Sequence, residues 1–368
     1  MGAGGCDAPF DRTAGHRARM PRSDRIVPVL ARWLALVWIS LLQVAGATGF
    51  VGDGACASCH PAQWQLHAAS QHAKALLPIN DSPLPGLLMA RPLRERGGVA
   101  YAYEPVDAGL EVTVRTDGGS VSALLEWAFG GGIQGMTPVG RYDGKYFEHR
   151  VSYYPARGNP AITIGHPLGS PQRPRNGLGL FQDTRTITRC FRCHATGVTS
   201  SGAGPNLDSM TPGVRCERCH GPGAGHLAAA SAAAATGDQP IRNPGRRNAR
   251  RITEMCGECH RLPAPGMLTR IPEKADPFNV RFQPMGLMAS RCFSRSRALS
   301  CITCHDPHSD ASHDSSFYMD KCLGCHTAAD ATVVNCKRPV QQDCLPCHMP
   351  RTSPSPHLFF TDHRIRVQ

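Results

Sequence analysis

Fourteen of the 17 cysteines in this 368-residue chain form seven Cys-x-x-Cys pairs, and a histidine directly follows every pair. Two thiols one helical turn apart can each form a thioether bond with one vinyl group of a haem. The adjacent imidazole can then bind the iron as its first axial ligand. The motifs are Cys56-Cys59-His60, Cys190-Cys193-His194, Cys216-Cys219-His220, Cys256-Cys259-His260, Cys301-Cys304-His305, Cys322-Cys325-His326 and Cys344-Cys347-His348. Their spacing predicts seven covalently attached haems c.

Zinc and disulfide bonds are the two other common roles of paired cysteines. Zinc ribbons use such pairs two at a time and have no need of a histidine after each one. Disulfides also leave the seven histidines unexplained. Cys292 and Cys336 lie outside the motifs, and they either pair in an oxidising compartment or remain buried thiols.

The sixth coordination position of each haem iron takes a second ligand or stays open for chemistry. Nine histidines remain when the motif histidines and His16 are set aside, which is enough for seven bis-histidine irons. We predict six of them as distal ligands: His72, His166, His226, His308, His357 and His363. His226 and His308 follow motif histidines too closely to reach the opposite face of the same haem. We therefore expect each of them to bind the iron of an adjacent haem.

Three further histidines are weaker candidates. His67 competes with His72, because both lie on the segment that follows the first motif. His149 and His313 are as readily explained as surface or propionate-bonding side chains.

The amino terminus predicts export from the cytoplasm, where haem c is normally not attached. Arginines precede a short apolar run at 33–44, which ends in the small residues 45–47. This is the pattern of a cleaved signal peptide over 1–47, and an uncleaved anchor is the alternative. Met20 stands at the natural start of such a signal, so translation starting there is a further hypothesis. We expect a periplasmic, soluble protein.

The formal net charge of +12 first suggests a polyanionic partner. Removal of 1–47 leaves (40 − 6) − (28 − 3) = +9. Seven haems with their propionates shift this to roughly +2 when oxidised or −5 when reduced. Because arginine pairs well with carboxylates, we interpret the basic balance as propionate neutralisation. No stripe of basic and aromatic residues predicts nucleic-acid binding.

The motifs divide the chain unevenly. The signal is followed by an N-terminal haem module at 48–97, a β-rich insert with a crossover at 98–182, and a six-haem C-terminal domain at 183–368. Alternating strand patterns occur within 98–182, with turn signals at Asp117-Gly118 and Asp143-Gly144. After 183 we expect short helices, including an alanine-rich one at 227–235. The predicted fold class is mainly α with long irregular loops, a haem-filled core and a small antiparallel β insert.

Several segments together resemble the multihaem cytochromes of the cytochrome c-554 type, over roughly 50–368. The segments are Cys56-Ala-Ser-Cys-His60 with Trp64 and Ser70-Gln-His72; Asp143-Gly144 through Val151-Ser-Tyr-Tyr154; Cys190-Phe-Arg-Cys-His194; Cys216-Glu-Arg-Cys-His-Gly-Pro-Gly223 with His226; Cys256-Gly-Glu-Cys-His260; Arg281-Phe-Gln283; Ser290-Arg-Cys292; Cys301-Ile-Thr-Cys-His-Asp-Pro-His308; Lys321-Cys-Leu-Gly-Cys-His326; Cys344-Leu-Pro-Cys-His-Met-Pro350; and His357 with Thr361-Asp-His363. The resemblance implies a periplasmic electron carrier with closely packed haem pairs. This chain departs from the tetrahaem prototype by its seven motifs.

We therefore expect an electron carrier rather than an enzyme. Its partners are redox proteins, either other cytochromes or a membrane quinone-linked complex, and it contacts the membrane itself only if the signal is uncleaved. The alternative is an oxidoreductase that acts on a nitrogen or sulfur compound at one five-coordinate haem. All seven motifs end in histidine, and surplus histidines allow every iron to be filled, which favours the carrier.

Overall fold

Alternating apolar and polar residues build the β-structure of this protein. The computed structural model describes residues 49–202, 204–232, 241–268, 280–326 and 343–366. Two of the predicted hairpin turns are confirmed, because Asp117-Gly118 joins two paired strands and Asp143-Gly144 joins the next antiparallel pair. Asp143 and Gly144 both have positive φ, at 50° and 69°, which suits a tight hairpin turn. The predicted signal at 1–47 lies outside the described residues.

Seven strands form one antiparallel sheet in the order β2-β3-β4-β5-β6-β9, with β1 paired to the far end of β4. The strands are β1 Leu76–Pro78, β2 Ala100–Val106, β3 Gly109–Thr116, β4 Gly119–Phe129, β5 Thr137–Tyr142, β6 Lys145–His149, β7 Val151–Tyr154, β8 Asn159–Ile162, β9 Gly179–Phe181, β10 Ala195–Thr196, β11 Thr199–Ser201, β12 Gly204–Asn206, β13 Thr211–Pro212, β14 Arg351–Ser355 and β15 Leu358–Thr361. The strands outside the large sheet pair as four two-stranded hairpins or ladders.

The helices are short, and most of those after the sheet carry a haem motif. They are α1 Asp53–Ala57, α2 Pro61–Ala69, α3 Leu84–Ala90, α4 Pro174–Leu178, α5 Thr184–His194, α6 Cys216–His220, α7 Ala224–Ala232, α8 Ala249–His260, α9 Gln283–Met288, α10 Arg291–Arg295, α11 Cys301–Cys304, α12 Ser315–Leu323 and α13 Leu345–His348. The alanine-rich helix predicted at 227–235 corresponds to α7, and its predicted end lies outside the described residues.

Two clusters of buried apolar side chains hold the sheet. The larger one packs α3 and α4 on the sheet through residues such as Leu88, Leu178 and Phe147, all fully buried. The smaller one joins β1 and β4 to α5, where Phe191 of the second motif is fully buried against the sheet. The sheet thus fixes the position of one haem motif directly.

A buried ion pair also ties the sheet together. The Arg150 guanidinium contacts the Glu95 carboxylate at 2.7 Å, and their side chains are only 3% and 7% exposed. Tyr101 Oη donates a hydrogen bond to the same carboxylate at 2.6 Å. Burial opposes the charged form of Glu95, but the hydrogen bonds from Arg150 and Tyr101 outweigh it and lower the pKa of Glu95.

The predicted fold class is wrong. The structure contains a seven-stranded antiparallel sheet with its own apolar core, rather than a mainly α fold with a small β insert. The sheet is larger than expected because it recruits β1 before the predicted insert and β9 after the predicted irregular crossover. The helical share is smaller because the motif helices have only 4 to 12 residues and end at or near the motif histidine.

Candidate haem-binding sites

Each Cys-x-x-Cys-His motif is wound into a single helical turn. In the first, fifth, sixth and seventh motifs, the backbone N–H of the histidine donates to the carbonyl of the first cysteine at 2.9–3.0 Å. The other three motifs end α5, α6 and α8. This turn brings the two thiols to one side and sets the imidazole beside them, which is the arrangement that covalent haem attachment needs.

Four motif histidines face a second imidazole across a gap. The ring centroids are 6.4 Å apart for His60–His226, 6.0 Å for His72–His260, 6.3 Å for His220–His308 and 6.1 Å for His305–His363. An iron bound to two imidazoles lies about 2 Å from each ligating nitrogen and about 3.2 Å from each ring centre, so its axial rings have centroids about 6.4 Å apart. The four centroid separations therefore match this value to within about 0.4 Å.

Each of these pairs joins histidines from different motif segments. His226 follows the third motif but faces His60 of the first. His308 follows the fifth motif but faces His220 of the third. The structure thus places His226 and His308 beside histidines of other motifs, and their role as ligands of an adjacent haem stays a prediction.

The far side of several imidazoles is held by backbone carbonyls. Nδ1–H of His194 donates to Ala75 O, and Nδ1–H of His220 donates to Arg242 O, both at 2.9 Å. Such a bond leaves Nε2 for a metal and fixes the ring orientation. Burial also lowers the pKa of His363 to about 4, which keeps this imidazole in the neutral, metal-binding form at neutral pH.

Thiols of different motifs approach one another closely. The thiols of Cys193 and Cys259, of the second and fourth motifs, lie close enough for their interaction to lower the pKa of Cys193 and raise that of Cys259. The same holds for Cys301 and Cys256 of the fifth and fourth motifs, in that order. Motif segments that are distant in sequence are therefore adjacent in the fold, as closely packed haem pairs require.

Glu217 holds together the segments that carry one imidazole pair. Its buried carboxylate accepts N–H bonds from Val51 and Gly52 at 2.9 Å, just before α1, and from Gly223 at 2.7 Å, just before α7. Glu217 occupies one of the two positions between the cysteines of the third motif, where the motif does not specify the residue type, so the sequence did not indicate this role. The structural feature that indicates it is burial, because Glu217 is only 5% exposed.

The loop that carries His72 is fixed at both ends. Before it, the backbone N–H of Gln71 donates to Asp310 Oδ1 at 2.7 Å, which ties the loop to the segment after the fifth motif. After it, Gly213 packs on the carbonyl of Ala73 with φ at +86°, a conformation and a closeness that exclude any Cβ. Neither Asp310 nor Gly213 was among the predicted site residues.

Two predicted distal ligands lie elsewhere. Nε2 of His166 is 3.3 Å from Glu148 Oε2, and the His166 ring is buried beside the sheet. The His357 ring packs on Tyr154, with centroids 5.2 Å apart, and its Nε2 accepts a hydrogen bond from Arg157 at 3.3 Å. The structure brings neither histidine into ring contact with a motif histidine.

Three weaker candidates also lie away from a second imidazole. His149 is fully buried, bonded to Tyr103 Oη at 3.0 Å and to Leu178 O at 2.7 Å, and burial lowers its pKa to about 3. His67 is buried beside the Asp53 carboxylate, and His313 is exposed.

Three motif histidines consequently have no imidazole partner in the described residues, which include every histidine except His16. They are His194, His326 and His348. Of the two extra cysteines, Cys292 is a half-buried free thiol whose pKa is raised by burial. Cys336 lies outside the described residues.

Comparisons with known proteins find similarity to cytochromes. The family model described as cytochrome c554 and c-prime matches residues 172–221, which contain the second and third motifs. The predicted resemblance is thus confirmed over this stretch. No curated protein matches the chain.

Two solved structures of multihaem cytochromes are similar at low identity. The outer cell wall cytochrome OcwA has a TM-score of 0.48 at 15% identity, covering 86% of this chain and 79% of that one. The undecaheme cytochrome from the S-layer of Carboxydothermus ferrireducens has a TM-score of 0.42 at 14% identity, covering 88% and 52%. The chain spans about half the length of the latter. In the part of the chain that the structure describes, no helix has the length and apolar character to cross a bilayer.

Proposed function

We propose that this protein is a c-type cytochrome that binds seven haems covalently and carries electrons between redox partners. The observation that carries the proposal is the set of four imidazole pairs with ring centroids 6.0–6.4 Å apart, each containing a motif histidine. When bound, haem iron accepts and releases one electron as it changes between its ferric and ferrous states.

The residues of the chain that would hold the haems and their irons can be named. Thiols at the 14 motif cysteines would anchor the haems. Four irons would each be held by one of the imidazole pairs, which are His60 with His226, His260 with His72, His220 with His308 and His305 with His363. An iron with two imidazoles has no position for a substrate, which suits electron transfer. The fold holds His166 and His357 away from any motif histidine, so no imidazole pair supports them as ligands. Their role as ligands stays a prediction.

The location and partners form part of the same proposal. Residues 1–47 direct export to the periplasm, where haem c is attached and redox proteins or a membrane quinone-linked complex exchange electrons with the chain. Propionates offset much of its positive charge.

Haem content and spin state test the proposal on the purified, haem-loaded protein. We expect a pyridine haemochrome assay to give seven haems per chain, and electron paramagnetic resonance of the oxidised protein to contain at least four low-spin haems. A count far below seven, or mostly high-spin signal, would contradict the proposed attachment and ligation.

A second function is favoured by one observation. His194, His326 and His348 have no imidazole partner in the described residues, so one of their irons could keep an open position for a nitrogen or sulfur compound. A spectral shift when carbon monoxide or nitrite is added to the reduced protein would support this oxidoreductase. The absence of any shift, together with seven low-spin haems, would exclude it.

A further inference from the structure

A strongly basic surface segment lies among the haem motifs. Residues 241–251 contain five arginines and no acidic residue. We define the arginine surface as the five residues Arg242, Arg246, Arg247, Arg250 and Arg251, all of which are exposed. Arg250 and Arg251 have side chains 72% and 68% exposed, and both contact one carboxylate, that of Glu254, at 3.0 and 3.3 Å. Arg250 and Arg251 therefore carry one more positive charge than the carboxylate that they share.

The arginine surface is attached to two motifs. The carbonyl of Arg242 accepts a hydrogen bond from Nδ1–H of His220, the histidine of the third motif. The Arg242 side chain donates to the carbonyls of Cys219 at 2.7 Å and Arg218 at 3.2 Å. On the other side, α8 begins within the surface and ends at His260 of the fourth motif. A molecule bound to the arginine surface would therefore be close to the third motif, and no more than the length of α8 from the histidine of the fourth motif.

The two positive charges on α8 lie at the end of that helix where positive charge is unfavourable. Arg250 and Arg251 lie in the first turn of α8, where the helix dipole makes positive charge unfavourable. The helix start is stabilised instead by Asn248, whose side-chain oxygen accepts the backbone N–H of Arg251 at 2.9 Å. Because one carboxylate, that of Glu254, serves both arginines and the helix dipole opposes them, a further anion outside the chain would stabilise this end of α8.

The form of the surface favours the acidic face of a protein as that anion. The apolar residues of the segment give no membrane anchor, because Pro244 and Ala249 are buried and Ile241 is half-buried. No aromatic residue in 241–251 offers a stacking platform for nucleic-acid bases. The guanidinium groups are spread along the segment instead of lining a pocket for a small ion.

We propose that the arginine surface docks an acidic redox protein that exchanges electrons with the haems of the third and fourth motifs. The proposal rests on the proposed electron-transfer function. Complexes between redox proteins bury small interfaces and are short-lived. Complementary charge raises the rate at which they form more than it raises their affinity. A surface of exposed arginines next to two haem motifs has the properties that such an encounter needs.

Stopped-flow reduction by flavodoxin, a small acidic electron donor, tests the proposal on the haem-loaded protein. The test variant changes three exposed arginines of the surface to glutamine: Arg247, Arg250 and Arg251. The control variant makes the same change at three exposed arginines near or on the sheet: Arg94, Arg96 and Arg115. Glutamine keeps a good helix propensity, so both variants lose equal charge with little change in folding.

We expect the test variant to be reduced about 10-fold more slowly at an ionic strength of about 0.02 M, and the control within about twofold of the unchanged protein. At about 0.5 M salt, where screening acts within about 4 Å, all three rates should converge. Equal rates for the test and control variants at low salt would overturn the proposal. So would an equal loss of rate with cationic hexaammineruthenium(II), because the encounter would then not depend on opposite charge.

Haem count and midpoint potentials distinguish a failure of the docking proposal from a failure of the proposed electron-transfer function. If the three arginines instead neutralise propionates, the test variant will show lowered midpoint potentials and a similar slowing with both donors, which also overturns docking. A protein that binds no haem at all refutes electron transfer itself, whereas seven haems with charge-independent rates refute only the docking surface.

Discussion

Replacement of Glu217 by glutamine tests how the first imidazole pair is held together. The Glu217 carboxylate joins Val51 and Gly52, which precede the first motif, to Gly223, which lies three residues before His226. Loss of this carboxylate should loosen the segments that carry both imidazoles of the pair while leaving the sheet intact, because no sheet residue contributes to these three bonds.

The size of the effect follows from the three bonds. Glutamine keeps Oε1, and with it the bonds from Val51 and Gly223, but these become weaker neutral hydrogen bonds. Its amide NH₂ replaces Oε2 and faces the N–H of Gly52, so that donor loses its partner. A charge-assisted bond contributes about 1.5–3 kcal/mol, a neutral one about 1 kcal/mol, and a buried unpaired donor costs about 1–3 kcal/mol. We expect local opening to become easier by about 3 kcal/mol, or about 100-fold.

Hydrogen exchange followed by mass spectrometry measures this opening in the haem-loaded protein. Amides of 49–57 and 221–232 should exchange about 100-fold faster in the Glu217→Gln variant, with unchanged protection in the sheet. The control is Glu258→Gln, an acidic residue within the fourth motif. Glu258 is 54% exposed and contacts Arg218 at 3.3 Å, so its loss should cost under about 1 kcal/mol.

Equal exchange rates in the two variants would refute the reasoning about Glu217. A uniform loss of protection across the whole protein would also contradict it, because the three Glu217 hydrogen bonds would then contribute to global stability rather than to local order. Low-spin signal from the His60–His226 iron provides a second readout: it should weaken in the Glu217 variant and persist in the Glu258 variant.

Three further predictions concern the frame around the haem sites. Arg150→Met should lower the free energy of unfolding by about 3–5 kcal/mol in denaturant titrations, since it leaves the Glu95 carboxylate buried without its cation. Because the pKa of Glu95 is lowered by folding, the pair stabilises the protein above pH 4.5, the ordinary value, and this contribution should disappear as the pH falls through the lower folded value; acid titrations of the Arg150→Met variant should lack that loss. Gln134→Ala should release the C-terminal hairpin to proteases, since the Gln134 amide donates to Phe359 O at 2.9 Å, and unchanged cleavage would contradict this. Gly213→Ala should strain the loop next to His72 and reduce low-spin signal, whereas an intact spectrum would show that the loop can adapt.

Local features of this protein could be predicted from the sequence, and long-range ones could not. Hairpin turns such as Asp143-Gly144 depend on neighbouring residues, and they form as expected. The pairing of β1 with β4 joins Leu76 to Phe129, and nothing in three residues of β1 indicates that partner. The sheet therefore contains more strands than the predicted insert, and the prediction of a mainly α fold was wrong.

The candidate sites divide in the same way. Each of the seven motifs is contiguous in sequence, so its residues and the chemistry expected of them can be read from spacing alone. The choice among distal histidines depends on which loops the fold brings together. His166 is of the residue type expected of a ligand, but its ring lies against Glu148. Glu217 joins two segments through its carboxylate, and no sequence motif predicts that role.

The imidazole pairs also explain how a chain of short helices and loops can hold one arrangement. The described residues after the sheet contain helices of 4 to 12 residues, which are marginal on their own in water. An iron bound by both imidazoles of a pair would close a loop of roughly 60 to 190 residues, and such cross-links act chiefly by limiting the unfolded chain. Since each pair joins different motif segments, every such bond would connect two haem sites. The axial histidines would then stabilise the same fold that brings them together.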